Sequence, residues 1–374
     1  MIILAESVLN FSYESDINAK QLIEIFDNFQ LLLKMTPPQI KYKILDEEKK
    51  IIEQTFFVNT IKKEIKLEVI HKKISNDSFL LQIISGPAKG TQTFIQILQK
   101  ENKSEINVKL DLKLNLKYKI FSSILSQKIK SVNITLFNRL EILAKLLYND
   151  KYQISFENNF NTLVIHLENK KIHFDGWWLG DISSSFIGGT YEKLPFKNRV
   201  IVDVGANIGD TAISFVNSGA KKVIALEPFP INYEFAKSNI LKNNMTEQIE
   251  ILLGGCSSQS TEILVDPKLS GLGYKMIKTN VGEKIKQFSL AELIKKFDIV
   301  DGIIKMNCEG CEYDAIINAS DAVLKKFSHI LIQYHDGPDS LINKLSNAGF
   351  RISNEAYSKD KGQLIAENIS NSMA

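Results

Sequence analysis

The chain has 374 residues, 44% of them hydrophobic and 24% charged, with 46 Lys and Arg against 43 Asp and Glu for a net charge of +3. That is a globular composition long enough for two domains, and its interspersed charges exclude the basic stripe of a nucleic-acid binder. No apolar run approaches the ~20 residues that span a bilayer, the start "MIILAESVLN" lacks the basic flank and apolar core of a signal peptide, and three cysteines fit a reducing compartment better than a disulfide framework, so the expected location is cytoplasmic.

"NAKQLIEIF" opens a helix with Asn18 as its cap and Gln21 reaching back three residues later, and Pro37 and Pro38 end the helical region. Strand-like runs follow near 40–58, 62–72, 78–85 and 91–99. In "INVKLDLKLNLKYKI" the residues Ile106, Val108, Leu110, Leu112, Leu114, Leu116, Tyr118 and Ile120 fall on one face, which makes one side of a strand dry and the other wet. The period then turns helical, with Phe121, Ile124 or Leu125, Ile129, Val132, Leu136, Leu140, Leu143 and Leu147 in one stripe. Strand, helix, antiparallel strands and a long closing helix predict an α+β helix-grip domain over 1–150. By that element order the segment resembles the START-like superfamily, which implies a cavity between sheet and helix for an apolar ligand.

After Pro195 strands alternate with helices, which predicts a mostly parallel sheet within a second domain, 151–374. "RVIVDVGANIGDTAISFVNSGA" reads as a strand from Val200 to Val204, a glycine turn and a helix ended by Gly219. Gly205 lets the chain reverse and come close to a ligand, and Gly209 permits close packing where the helix begins. "KKVIALEP" is a second strand ending in Glu227, a carboxylate placed to accept bonds from two ribose hydroxyls. The turn is not a full GxGxxG, and Asp203 at its head suits a cationic ligand, such as a sulfonium with its amino-acid tail, better than a pyrophosphate; a nicotinamide oxidoreductase is disfavoured on that ground.

"IKMNCEGCEYD" sets Cys308 and Cys311 in a CxxC. A structural zinc needs four ligands, and the remaining candidates are Cys256 and five scattered histidines without a second pair, so no metal is expected. A redox pair needs a lowered thiol pKa, which Glu309 and Glu312 oppose. The sulfurs read as small packing residues around an acidic turn.

"YEKLPFKNRVIVDVGANIGDT", "KKVIALEPFPINYEFAKSNI" and "IIKMNCEGCEYDAI" together resemble the three ordered signatures of the FkbM family of class I methyltransferases, over roughly residues 155–367. The resemblance implies a Rossmann-like α/β sheet that binds S-adenosyl-L-methionine. In that frame Asp203, Gly205, Asn207 and Gly209 cradle the methionine end, Glu227 holds the ribose, Phe229 just past Pro228 lies against the adenine, and Gly255 and Cys256 sit at the adenine edge. "GIIKMN" becomes the fourth strand, and Glu309, Gly310 and Glu312 match the family's loop. The family generally has an acid where this chain has Asn307; an amide is no general base, and the role left to Asn307 is to orient an acceptor or the cofactor's sulfonium by hydrogen bonding. The fifth strand, "HILIQYHDG", ends in His335, a residue type suited to take a hydroxyl proton. The implied activity is methylation, by S-adenosyl-L-methionine, of a hydroxyl on a small apolar or glycosylated acceptor, the first domain binding an apolar acceptor; the alternative is a lipid-binding or carrier protein whose methyltransferase-like half is catalytically weak.

Overall fold

The computed structural model describes residues 5–37, 40–58, 62–115, 122–267 and 282–369. Pro38, Leu116, Tyr118, Ile120 and Phe121 lie outside them. The chain divides into two compact units, Met1–Ile154 with Asn158–Phe160, and Ser155–Glu157 with Asn161–Ala374.

The first unit runs β1 (Ala5–Ser15), α1 (Ala19–Asp27), α2 (Phe29–Lys34), β2 (Ile40–Asp46), β3 (Ile51–Val58), β4 (Lys63–Lys73), β5 (Ser78–Ser85), β6 (Gln92–Lys100), β7 (Lys103–Leu114) and α3 (Ser122–Leu147). Its seven strands form one antiparallel sheet in the order β1-β7-β6-β5-β4-β3-β2. The alternation read along β7 is the alternation of burial: Ile106, Val108, Leu110, Leu112 and Leu114 are all buried. Two details differ from expectation. Asn28 breaks the first helix in two, because its side chain accepts a bond from Leu31 N at 3.1 Å and so caps α2. The run 40–58 is a hairpin, not one strand, since Asp46 Oδ1 accepts from Lys49 N at 3.0 Å and starts a turn.

The apolar stripe of α3 is only partly buried. Phe137, Leu140 and Leu143 are in the core, whereas Ile124, Leu125, Ile129, Val132 and Leu136 face a cavity of about 450 Å³. The opposite wall is sheet, including Phe56, Leu67, Val69, Leu81 and Leu112. The helical period was right because an apolar wall and an apolar core ask for the same residues.

The chain continues with β8 (Gln153–Glu157), at which the division between the units falls, and, in the second unit, β9 (Thr162–Leu167) and β10 (Lys170–Asp175); the three form a small sheet in the order β10-β9-β8. Next come α4 (Leu179–Ile182) and a π-helical turn at Ser183–Ile187. Then follow β11 (Val200–Val204), α5 (Asp210–Asn217), β12 (Lys222–Glu227), α6 (Pro230–Lys242), β13 (Ile249–Leu253), β14 (Gly255–Ser257), β15 (Thr261–Val265), β16 (Glu283–Ser289), α7 (Leu290–Phe297), β17 (Gly302–Met306), α8 (Cys311–Ile317), α9 (Asp321–Leu324), β18 (Phe327–Tyr334), α10 (Asp339–Asn347), β19 (Phe350–Ala356) and β20 (Gly362–Asn368).

The large sheet of this unit is mixed, in the order β13-β12-β11-β17-β18-β20-β19. Strands β13, β12, β11, β17 and β18 are parallel, and β20 runs antiparallel to both of its neighbours. Fully buried β17 and near-continuous apolar β11 and β12 are what a strand covered on both faces requires. The chain leaves β11 toward β12 on one side and returns to β17 on the other, so the strand order reverses between β11 and β17. Crevices form outside the carboxyl ends of strands at such a point.

Candidate active site

A cavity of about 320 Å³ lies at that reversal. The carboxyl ends of four adjacent strands supply Gly205, Glu227, Asn307 and Gln333, and the loops beyond them add Asn207, Pro228, Phe229, Cys308 and Glu309. Gly205 has φ +79°, and a Cβ there would stand 2.1 Å from Asn307 O. The glycine is therefore demanded by the neighbouring strand tip as well as by the turn. Gly209, at φ +82°, packs against Ala236 of α6 where α5 begins, which brings the two helices together beneath the site.

The electrostatics centre on one cation. Lys305 on β17 is only 1% exposed, pairs with Asp203 at 2.8 Å and donates to Gly205 O at 2.9 Å. Asp203 itself is fully buried, also accepts from Thr211 Oγ1, and does not line the cavity. Its charge is thus answered inside the protein by Lys305, so it does not face a ligand as the sequence suggested. The carboxylates that line the cavity are Asp181, Asp210, Glu227 and Glu309. Burial pushes the Glu227 carboxyl up to about 7, against the pull of two backbone amides. Burial likewise raises Asp181 and Asp210, and Asp210's charge raises Asp181 further.

Each carboxylate is held in place. Glu227 accepts from Asn207 N at Oε2 and from Phe229 N at Oε1, both at 2.9 Å, and each carboxylate oxygen can accept one bond more. Asn207, at φ +49°, donates to Asp181 Oδ2 at 2.5 Å, and Ser185 donates to Asp210. Two buried carbonyl oxygens on the cavity wall, Asn207 Oδ1 and Gln333 Oε1, have no hydrogen-bond partner.

Asp181, Ser184 and Ser185 reach the cavity from α4 and the π-helical turn, ahead of the first motif, and Tyr191, the first residue of that motif, joins them. "GWWLGDISSSFIGG" has no strand or helix period that marks it, and its only local signal is Asp181 among apolar and small residues. Gly255 and Cys256, expected beside a bound adenine, do not line the cavity. Cys256 is instead completely buried in the core, where desolvation pushes its thiol up to about 12.

The loop after β17 also departs from expectation. Cys308 and Cys311 are joined in a disulfide, so they are not free packing residues. Positive φ at Glu309 (55°) and Gly310 (120°) folds the loop back and brings the two Cα atoms to 5.5 Å, within disulfide reach. Cys308, Cys311 and Glu312 place sulfur and carboxylate atoms within 4.8 Å of one another. Glu312 is fully buried, accepts from Gly310 N at 2.9 Å and lies 3.0 Å from His335 Nδ1. The other ring nitrogen of His335 is 3.4 Å from Glu309 Oε1. The hydrogen bond to Glu312 raises the His335 pKa, the Glu309 charge adds to it, and burial opposes both. Of these three residues Glu309 lines the cavity; His335 and Glu312 stand behind it.

Among the described residues no helix is long and apolar enough to cross a membrane. No curated protein matches the chain. Similar solved structures include norcoclaurine synthase from Thalictrum flavum (16% identity, 40% of this chain and 90% of that one, TM-score 0.31) and a START superfamily protein from Mycobacterium smegmatis (14% identity, 36% and 98%, TM-score 0.28). A third is an aromatase/cyclase of a Streptomyces species (7% identity, 39% and 98%, TM-score 0.33). The strands and loops that build most of the acidic cavity, from Gly205 through Gln333, fall within residues 203–352, and that stretch matches the methyltransferase FkbM domain.

Proposed function

We propose that the second unit, within 151–374, is a class I methyltransferase domain that binds S-adenosyl-L-methionine and methylates a hydroxyl of a small, apolar or glycosylated acceptor. The observation that carries this reading is the charge balance of the cavity: Asp181, Asp210 and Glu227 surround it beside two partnerless carbonyl oxygens, and Lys305 is already engaged by Asp203. Burial holds these carboxyls close to their protonation point, and a ligand with positive charge and several donors favours their ionised form, whereas a pyrophosphate is penalised. S-adenosyl-L-methionine supplies a sulfonium-activated methyl group, an ammonium and two ribose hydroxyls. Glu227, at the tip of the second parallel strand, offers acceptors for the hydroxyls, and Asn207 Oδ1 and Asp181 offer acceptors for the ammonium. The order of the parallel strands and the antiparallel β20 supports the same fold assignment. With the methyl group already activated, the protein's task is alignment of the acceptor and removal of one proton.

Calorimetry with S-adenosyl-L-methionine tests this. Binding is expected at micromolar affinity, about −8 kcal/mol. Glu227→Ala is expected to weaken it by ~10²-fold, the loss of two charge-assisted bonds. No heat with the wild-type protein overturns the assignment, and unchanged affinity in the variant removes Glu227 from the site.

A second reading is favoured by Asn307, an amide at the strand tip: a binding or carrier protein whose methyltransferase-like unit holds cofactor with weak turnover. Under both readings the cavity of about 450 Å³ between α3 and the sheet holds an apolar ligand. Retained lipid with no consumption of S-adenosyl-L-methionine selects the second reading.

A further inference from the structure

The walls of the first unit's cavity are mostly hydrocarbon; their polar members are Thr36, Gln54, His71, Thr91, Thr93, Lys128 and Asn133, and of these His71 is the one whose polar atoms are left over. His71 sits on β4 among Val69, Leu81 and Ile83, and lines this cavity. Both of its ring nitrogens are shut off from solvent, and neither has a hydrogen-bond partner. It also borders a second pocket of about 20 Å³ beside Asp27 and Lys50, room for a single water. Among the described residues lining the larger cavity, His71 alone carries buried side-chain nitrogens or oxygens without a partner. Thr91 and Asn133, polar residues of the same wall, are committed elsewhere: Thr91 exchanges hydrogen bonds with the Lys113 backbone, and Asn133 donates to Ile129 O.

The ring is fixed in place. Its backbone N–H donates to Lys50 O at 3.1 Å, its strand pairs with β5 at Leu81, and its ring meets Phe29 edge-on at a centroid distance of 5.5 Å. Burial, with the nearby Lys50 charge, pushes its pKa down to about 4, so the ring is neutral around neutral pH. A neutral imidazole presents one donor and one acceptor, which is also what a hydroxyl presents. Leaving such a group orphaned in an apolar wall costs free energy that a matching ligand would recover.

We propose that this cavity takes an uncharged, otherwise apolar molecule bearing a hydroxyl, and that His71 is the residue that reads the hydroxyl. The proposal rests on the reading of the cavity as a ligand site and adds the class of ligand. His71, neutral and set among Val69, Leu81 and Ile83, offers nothing that offsets the desolvation of a carboxylate at its own position and prefers an alcohol or phenol to the bare hydrocarbon; Lys128, on α3, is the cation of the lining, and a carboxylate bound there would be read by Lys128 and not by His71.

The test uses the full chain and three aromatic probes with the substituent at the same ring carbon: naphthol, methylnaphthalene and naphthoate. Binding is followed by probe fluorescence. The wild-type protein is expected to bind naphthol at least about tenfold more tightly than methylnaphthalene, the yield of one buried hydrogen bond, and naphthoate weakest of the three. His71→Leu removes the orphaned nitrogens and is expected to keep methylnaphthalene binding while losing the preference for naphthol; His71→Phe, which retains a ring against Phe29, serves as the second variant. Equal binding of naphthol and methylnaphthalene by the wild type, tightest binding of naphthoate, or an unaltered preference in both variants overturns the assignment of His71 while leaving the cavity a ligand site. Binding of none of the three overturns both.

Discussion

Lys305→Met is expected to destabilise the second unit by about 3–5 kcal/mol, the cost of leaving a buried carboxylate without its partner. The side chain is 1% exposed, and its ammonium contacts Asp203 at 2.8 Å and Gly205 O at 2.9 Å. Methionine fills a similar volume, so the packing change is small and the electrostatic one dominates. Asp203 then keeps the Thr211 hydroxyl but loses its cation, and the raised carboxyls of Asp181, Asp210 and Glu227 lose the Lys305 charge that opposes their protonation. Urea unfolding followed by tryptophan fluorescence isolates the effect, because both tryptophans, Trp177 and Trp178, belong to this unit. Asp203→Asn combined with Lys305→Met removes both charges and is expected to recover much of the loss, since replacing a buried pair by neutral groups is often close to neutral. A single variant that costs under about 1 kcal/mol would mean that Lys305 does not neutralise the core of the site.

The same residues show what can be read from sequence and what cannot. The β11 turn, the acid at the end of β12 and the position of the acidic loop after β17 can be read because each is local: a run of apolar residues, a glycine forced by geometry, and a polar residue at the strand's exit; the disulfide within that loop is not, because it depends on the positive φ of Glu309 and Gly310. Even so, the part Asp203 plays was misread. Its answering charge, Lys305, is 102 residues away on the adjacent strand, and strand adjacency is not a local property. Asp181 and Ser185 reach the cavity through a short helix and a π-turn with no period. Order along the chain makes Cys256 a ligand neighbour, but β14 pairs edge to edge with β16 and carries it into the core. In the first unit the alternation of β7 and the stripe of α3 were plain, whereas His71 was hidden, since one histidine in a strand looks the same whether it faces water or hydrocarbon.

The largest expected effect on chemistry concerns the row Glu309, His335 and Glu312. Only Glu309 of the three lines the cavity, so under the proposed reaction its carboxylate is the one expected to take a proton from an acceptor hydroxyl. His335, 3.4 Å from Glu309 and 3.0 Å from the buried Glu312, then acts as a positioning residue, holding the carboxylate from behind. The two roles differ in sign with pH. The hydrogen bond to Glu312 raises the histidine's pKa above its usual 6.5, so the charged ring and the stability it confers are fully present below that value and are lost as pH rises through the raised one. If charged His335 positions Glu309, turnover of S-adenosyl-L-methionine with a phenolic acceptor falls over that upper range; if neutral His335 were itself the base, turnover would rise there. Glu309→Gln is expected to lower turnover by ~10²-fold or more with cofactor affinity nearly unchanged. Glu312→Gln, by weakening the bond that charges the ring, is expected to lower the His335 pKa in an imidazole NMR titration and to shift the fall in turnover to lower pH by the same amount. A rise of turnover with pH that disappears in His335→Ala, with Glu309→Gln fully active, would return the base to His335.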